Sequence, residues 1–326
     1  MGRTDRPALR LGTRRSPLAM HQAALVRDAI ALVDPGLDVE LVEITSDGDV
    51  DTRELREIHD RGIFAHALER QLLDGTIDAA VHSSKDLALD DTAGLVLAAW
   101  LPREDPRDAL VNAGCDLLHL PDGATIATGS ARRMAGLRTL RGDLQPRPIR
   151  GNVATRIQRA SERGDAGLVL AMAGLLRLGL VDAGEHDIRA IDVDQLVPEA
   201  GQGAVVVQAT SQVCPRTGLD WSAIDHVATR RTVQLERAIA RRFGGGCDRP
   251  VGVHAELEQG RIHAFFAPSP DDVGRRASHD VLGLELGTLV SVSAARDVDD
   301  AAEWTAQRLA PVLAELVGAR LVEVAR

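Results

Sequence analysis

The sequence predicts an α/β protein of two similar lobes followed by a smaller α+β domain. Three observations predict it. Short apolar strand patterns alternate with amphipathic helical patterns through the first two thirds of the chain. A unit of strand, serine, arginines and helix occurs twice, near the N-terminus and again after Gly123. From about Arg230 the order changes to helix, hairpin and helix.

The first strand is "ALRLGT". It leads into a helix in which Ser16 suits the N-cap and Pro17 the first helical position, and Leu18, Leu25, Val26, Ile30 and Val33 recur at helical spacing. "DVELVEI" reads as a second strand, "GIFAHALERQLLDG" as a helix closed by Gly75, and "IDAAVHS" as a third strand. The alternation implies a parallel sheet. "ATIATGSARRMAGLRTL" repeats the pattern of strand, serine, arginine pair and helix, followed by "RPIRGNVATRIQRASERG" and the apolar "AGLVLAMAGLLRLGL". Leu101 to Val111 and Val197 to Val207, rich in Pro and Gly, are the expected crossings between lobes. The expected division is a first lobe over 1–101 completed by about 202–222, a second over 107–197, and a C-terminal domain over 228–326. In the last, "RRTVQLERAIARRF" is a helix, "RPVGVHAELEQGRIHAFFA" a hairpin turning at Gln259-Gly260, and residues 299–321 a final helix.

Composition narrows the function. The net charge of −10 over 326 residues disfavours a nucleic-acid binder, and 2% aromatics with no tyrosine disfavours a base-stacking platform. No apolar run has the length of a membrane span, and the N-terminus lacks the apolar stretch of a secretory signal, so a cytoplasmic protein is expected. Three cysteines without metal-ligand spacing fit a reducing compartment and no metal site. Lys85 is the only lysine, although Lys and Arg together number 38. Coding bias toward arginine explains the trend but not the exception, and a compact ammonium is not replaceable by a guanidinium everywhere.

Some residues stand out singly. Cys247 follows three glycines in "FGGGCDRPVG", which suits either a buried structural cysteine or a thiol with room for a bulky attachment. Asp86, beside Lys85, is either a solvated surface residue or an aspartate at the carboxyl end of a strand, where α/β proteins bind ligands. Arg132, Arg133, Arg150, Arg156 and Arg177 cluster near element ends, where helix N-termini and planar forks suit carboxylates.

Taken in order, "LGTRRSPLAMHQA", "VHSSKD", "REDPRDALV", "TGSARR", "RGNVATR", "AGLLRLGL", "GQGAVVVQ" and "GGGC" resemble the porphobilinogen deaminase (hydroxymethylbilane synthase) family, from about Arg10 to Gly252. The resemblance implies two lobes folded like periplasmic binding proteins and a third domain. It also implies an enzyme that condenses four porphobilinogen molecules head to tail into hydroxymethylbilane with loss of ammonia. The chain would grow on a dipyrromethane cofactor joined by a thioether to Cys247. Each substrate brings an acetate and a propionate, so about six rings present about twelve carboxylates to be paired.

By the same resemblance, Asp86 is the catalytic aspartate, assisting loss of the amine, stabilising the cationic azafulvene and managing the proton lost on rearomatisation. Lys85 assists it. Ser83, Lys85, Asp86, Ser130, Arg132, Arg133 and Arg156 would hold the cofactor. Arg14, Ser16, Phe64, Arg150, Arg177 and Gln202 would hold substrate rings. The expected partners are small polycarboxylate pyrroles, with no nucleic acid and no membrane, and the expected state is a monomer. Two departures stand out. Where relatives carry lysines in a lid loop, this chain has "REIHDRGIF", with Glu57 and Asp60 beside Arg61, and "TGSARR" has Gly129 in place of a more usual serine. The main alternative is a non-enzymatic binding protein or regulator of the same fold, since fold alone does not fix function.

Overall fold

The computed structural model describes residues 6–44, 63–242, 250–256, 261–267, 270–271, 275–282 and 291–294. Cys247, Glu57, Asp60, Arg61, the Gln259-Gly260 turn and the expected final helix over 299–321 lie outside the described residues.

The chain opens with β1 (Leu9–Arg14), α1 (Pro17–Val33) and β2 (Val39–Ile44). It continues with α2 (Ile63–Leu73), β3 (Ala79–Ser83), a 3-10 turn at Ser84–Asp86, and β4 (Val96–Trp100). Next come β5 (Asp108–Val111), β6 (Thr125–Thr128), α3 (Ala131–Leu140), β7 (Gln145–Pro148), α4 (Val153–Glu162), β8 (Gly167–Ala171), α5 (Met172–Arg177) and β9 (Ile188–Ile191). The chain then forms β10 (Val205–Ala209), α6 (Val227–Arg242), β11 (Val251–Glu256), β12 (Arg261–Phe266), β13 (Arg275–Leu282) and β14 (Ser291–Ala294).

Two compact units result. One comprises Met1–Asp105, Ala173–Asp182 and Gln202–Arg230; the other comprises Pro106–Met172, Ala183–Gly201 and Arg231–Arg326. The first holds a sheet of order β2-β1-β3-β10-β4. The second holds one of order β7-β6-β8-β5-β9 and an antiparallel sheet β11-β12-β13-β14.

The two five-stranded sheets share one plan. Strands β1, β2 and β3 are parallel, as are β6, β7 and β8, but β10 runs antiparallel to β3 and β4, and β5 antiparallel to β8 and β9. The expected parallel sheet is thus present in each unit as a mixed one, with one antiparallel strand among parallel neighbours. Each antiparallel strand is the first one after a crossing, so it is not delivered by a right-handed helical crossover that would force parallel pairing.

Local chemistry explains the element ends that position the site. Ser16 caps α1 by accepting from the Ala19 amide at 3.3 Å, with Pro17 at the first helical position. Ser130 caps α3 through the Arg133 amide at 3.4 Å, and Asn152 caps α4 through the Thr155 amide at 2.9 Å. Gly75, at φ +68°, ends the last turn of α2. Apolar faces then close over the sheets. Leu9, Leu11, Val26, Ile30, Val205 and Trp221 form the core of the first unit. Leu110, Ile126, Leu137, Val169 and Leu196 form that of the second. Ala135 and Val197 pack with Phe265 and Ala267, which ties the antiparallel sheet to α3.

Candidate functional site

In parallel α/β sheets the carboxyl ends of the strands open toward loops and helix N-termini, and that edge carries ligands. In the first unit this edge gathers most of the expected residues. Arg14 ends β1 and Ser16 follows it. Ser83 ends β3, and the 3-10 turn sets out Ser84, Lys85 and Asp86, with Asp86 exposed, Lys85 half-buried and Ser84 buried. The antiparallel β10 begins at the same edge, because Val205 pairs with Ser83. That register brings Gln202 beside the turn, where the Lys85 ammonium donates to Gln202 Oε1 at 3.2 Å.

Gln202 is fully buried and its surroundings are fixed. Arg103 Nε donates to the Gln202 carbonyl at 2.9 Å, while Arg177 Nη2 and the Glu104 amide donate to the Gly203 carbonyl at 2.6 and 3.1 Å. Burial lowers the Arg177 pKa, and the attraction of Glu104 opposes the shift. Phe64 lies in the first turn of α2. Beneath the edge, His82 is buried in β3. Burial and the nearby Arg14 charge lower its pKa to about 4, against an opposing hydrogen bond with Gln208, so the imidazole is neutral. Gln208 in turn donates to Glu69 at 2.9 Å, and Thr92 donates to the same Glu69 oxygen at 2.8 Å.

The second unit repeats the arrangement with different charge. Thr128 ends β6, and Gly129 and Ser130 lead into α3. A Cβ on Gly129 would stand 2.8 Å from the Ile149 carbonyl oxygen and 3.7 Å from Arg156 Nη1. The glycine that replaces a more usual serine thus admits the backbone after β7 and lets Arg156 lie against the turn. Arg156 Nε donates to the Gly151 carbonyl at 2.6 Å. Arg150 and Arg156 are both half-buried. Ser130 accepts one amide through its oxygen and keeps its own O–H to donate to an anion, as does Ser16 in the first unit.

Arg132 and Arg133 are far more buried than surface anion ligands, at 3% and 5% exposure. They share Asp108, the fully buried first residue of β5: Arg132 Nη2 lies 2.8 Å from Oδ2, and Arg133 Nη2 lies 2.8 Å from Oδ1. Burial lowers the Arg132 pKa, opposed first by Asp108, and Glu199 adds a smaller attraction. Arginine does not give up its proton in proteins. In direct contact, then, two buried guanidiniums meet one carboxylate. The Nε of Arg132 is buried and makes no hydrogen bond within the protein. Such a donor set is suited to a carboxylate-bearing cofactor.

Asp108 was missed by sequence reasoning, although it sits inside the quoted "REDPRDALV" run. An aspartate after proline and arginine reads as a turn residue, and only the fold reveals its ion pairs with Arg132 and Arg133. The other two cysteines, Cys115 and Cys214, are free, half-buried and buried respectively. Among the described residues no helix is long and apolar enough to cross a membrane, and no group of three or more His, Cys, Asp or Glu is arranged to hold a metal ion.

Each unit thus presents serine and arginine at the carboxyl edge of its own α/β sheet, the first together with Lys85 and the exposed Asp86. Comparison with known proteins makes the class specific. The family model "Porphobilinogen deaminase, dipyromethane cofactor binding domain" matches residues 9–213, and the C-terminal domain of the same family matches residues 230–267. The porphobilinogen deaminase of Thermobifida fusca is 40% identical over 291 residues, covering 88% of this chain and 89% of that protein. The porphobilinogen deaminase of Burkholderia mallei is 40% identical over 295 residues, covering 87% and 88%. Among solved structures, the periplasmic aliphatic sulphonate binding protein SsuA from Escherichia coli aligns with TM-score 0.38 and 16% identity, covering 72% of this chain and 70% of that one. The chain belongs to the porphobilinogen deaminase family. It is an enzyme of tetrapyrrole biosynthesis with a dipyrromethane cofactor-binding domain.

Proposed function

We propose that this chain condenses four porphobilinogen molecules head to tail into hydroxymethylbilane, releasing ammonia at each condensation, with its primer joined to Cys247 as a thioether. The bound dipyrromethane supplies a pyrrole carbon nucleophile from which the product grows. Ser130, Arg132, Arg133 and Arg156 hold its carboxylates, and Arg14, Ser16, Phe64, Arg150, Arg177 and Gln202 hold incoming rings. Ser83, at the end of β3, adds a hydrogen bond. Asp86 is the acid-base group. It delivers a proton toward the departing amine, and as carboxylate it stabilises positive charge developing at the pyrrole nitrogen of the substrate. It then receives the proton that the attacking ring must lose. Residues 228–326 are the C-terminal α+β domain that carries the cysteine, and its sheet packs against α3 within the second unit. The enzyme works as a cytoplasmic monomer on small polycarboxylate pyrroles, and neither nucleic acid nor membrane is a partner.

The observation that carries this reading is the Ser84–Asp86 turn at the carboxyl edge of β3, with Asp86 exposed and the adjacent Lys85 anchored to Gln202. Asp86→Asn tests it, because the amide keeps the shape but removes the charge and the proton. In protein shown by intact mass to carry the cofactor, turnover is expected to fall at least about a hundredfold, the lower end of general acid-base effects. Wild-type turnover in the loaded variant contradicts the assignment.

A further inference from the structure

We infer that Asp108 is a positioning residue for the reaction: its carboxylate sets the orientation in which Arg132 and Arg133 meet the carboxylates of the bound pyrrole. The inference rests on the reading that this arginine pair holds the cofactor. Asp108 opens β5, paired with Ala171 of β8 on one side and Ile191 of β9 on the other, so its backbone is held in the interior of the sheet. Each carboxylate oxygen lies in an ion pair with one of the two arginines. Oδ1 receives Arg133 Nε at 3.0 Å as well as Arg133 Nη2, and Oδ2 faces Arg132 Nη2. The far end of each guanidinium is also fixed, Arg133 Nη1 on the Val169 carbonyl at 3.2 Å and Arg132 Nη1 on the Val197 carbonyl at 2.6 Å.

A fully buried carboxylate is a costly residue at the start of an interior strand, where an apolar side chain would pack without penalty. Its effect here is to keep two like charges side by side and at fixed angles. Without it the guanidiniums repel one another, and Arg132 loses the ion pair of Nη2 with Oδ2; neither that nitrogen nor its Nε makes a hydrogen bond within the protein. Asparagine cannot substitute, because its amide nitrogen would point a donor at one of the two cations. Asp108 touches neither cofactor nor substrate in this scheme; it acts through the arginines.

The test compares full-length wild type, Asp108→Asn, Asp108→Glu, Arg132→Leu and the Asp108→Asn/Arg132→Leu double variant. The readouts are the fraction of protein carrying the cofactor mass and the KM and kcat of the loaded fraction. Asp108→Asn is expected to lower the loaded fraction about tenfold, and Asp108→Glu, which keeps the charge but displaces it by a methylene, to fall between it and wild type. The double variant should lose less than the product of the two single losses, since part of the carboxylate's effect runs through Arg132 and the rest through Arg133. Full loading of Asp108→Asn, or losses that multiply in the double variant, overturn the inference. Should Asp108→Asn fail to fold, Asp108→Glu decides, and wild-type loading and kinetics in it overturn the inference equally. Normal loading of Arg132→Leu is a different result, because it removes the reading of the arginine pair itself.

Discussion

The only lysine of the chain, Lys85, donates to the side-chain oxygen of Gln202 at 3.2 Å, and Gln202 has no exposed surface through which to yield. A guanidinium at position 85 is wider and planar, and would displace the glutamine or turn toward Asp86. Lys85→Arg is therefore expected to lower kcat at least about tenfold although charge is kept. Steady-state turnover of cofactor-loaded protein checks this, and an unimpaired variant would show that any cation suffices.

Gly203 is fitted to its place in two independent ways. Its φ is +87°, and a Cβ there would stand 2.3 Å from the Glu104 carbonyl oxygen. Gly203→Ala should destabilise the protein by roughly 1–3 kcal/mol from backbone strain alone, with the contact adding to it. The urea midpoint should fall with an unchanged slope. Since the Gly203 carbonyl also receives Arg177, KM should rise with the loss of stability.

His82 predicts a pH dependence of stability. Its pKa is 6.5 in the unfolded chain and about 4 when folded, lowered first by burial. Between these values the unfolded state binds more protons, so the contribution of His82 is complete above pH 6.5 and is lost as pH falls toward 4. The loss amounts to roughly 3 kcal/mol. Chemical denaturation of wild type and His82→Gln across this window should show a shallower pH slope for the variant. Parallel slopes would mean that the histidine is not held neutral.

Much of the fold was legible where local chemistry decides it. Ser16-Pro17 and Ser130 announced their helices, and Gly75 the end of α2, because caps and left-handed glycines act within a few residues. The apolar run 166–180 was not resolved into β8 and α5, since a fully buried strand and a buried helix have no distinguishing period. The antiparallel direction of β5 and β10 was also hidden, because it depends on a crossing between distant segments. The same holds for the site. Serines and arginines at strand ends could be read in order along the chain, whereas the Asp108 contacts join residues 25 positions apart and appear only in the folded sheet.

A dipyrromethane joined to Cys247 adds its own mass to the chain, so intact mass of the purified protein reads out the covalent link. Wild type and Cys214→Ala should both show the chain mass plus one dipyrromethane, and Cys247→Ser the unmodified chain mass with no bilane formed. An adduct that survives Cys247→Ser but disappears in Cys214→Ala, or a fully active wild type of unmodified mass, would rule out Cys247 as the attachment point.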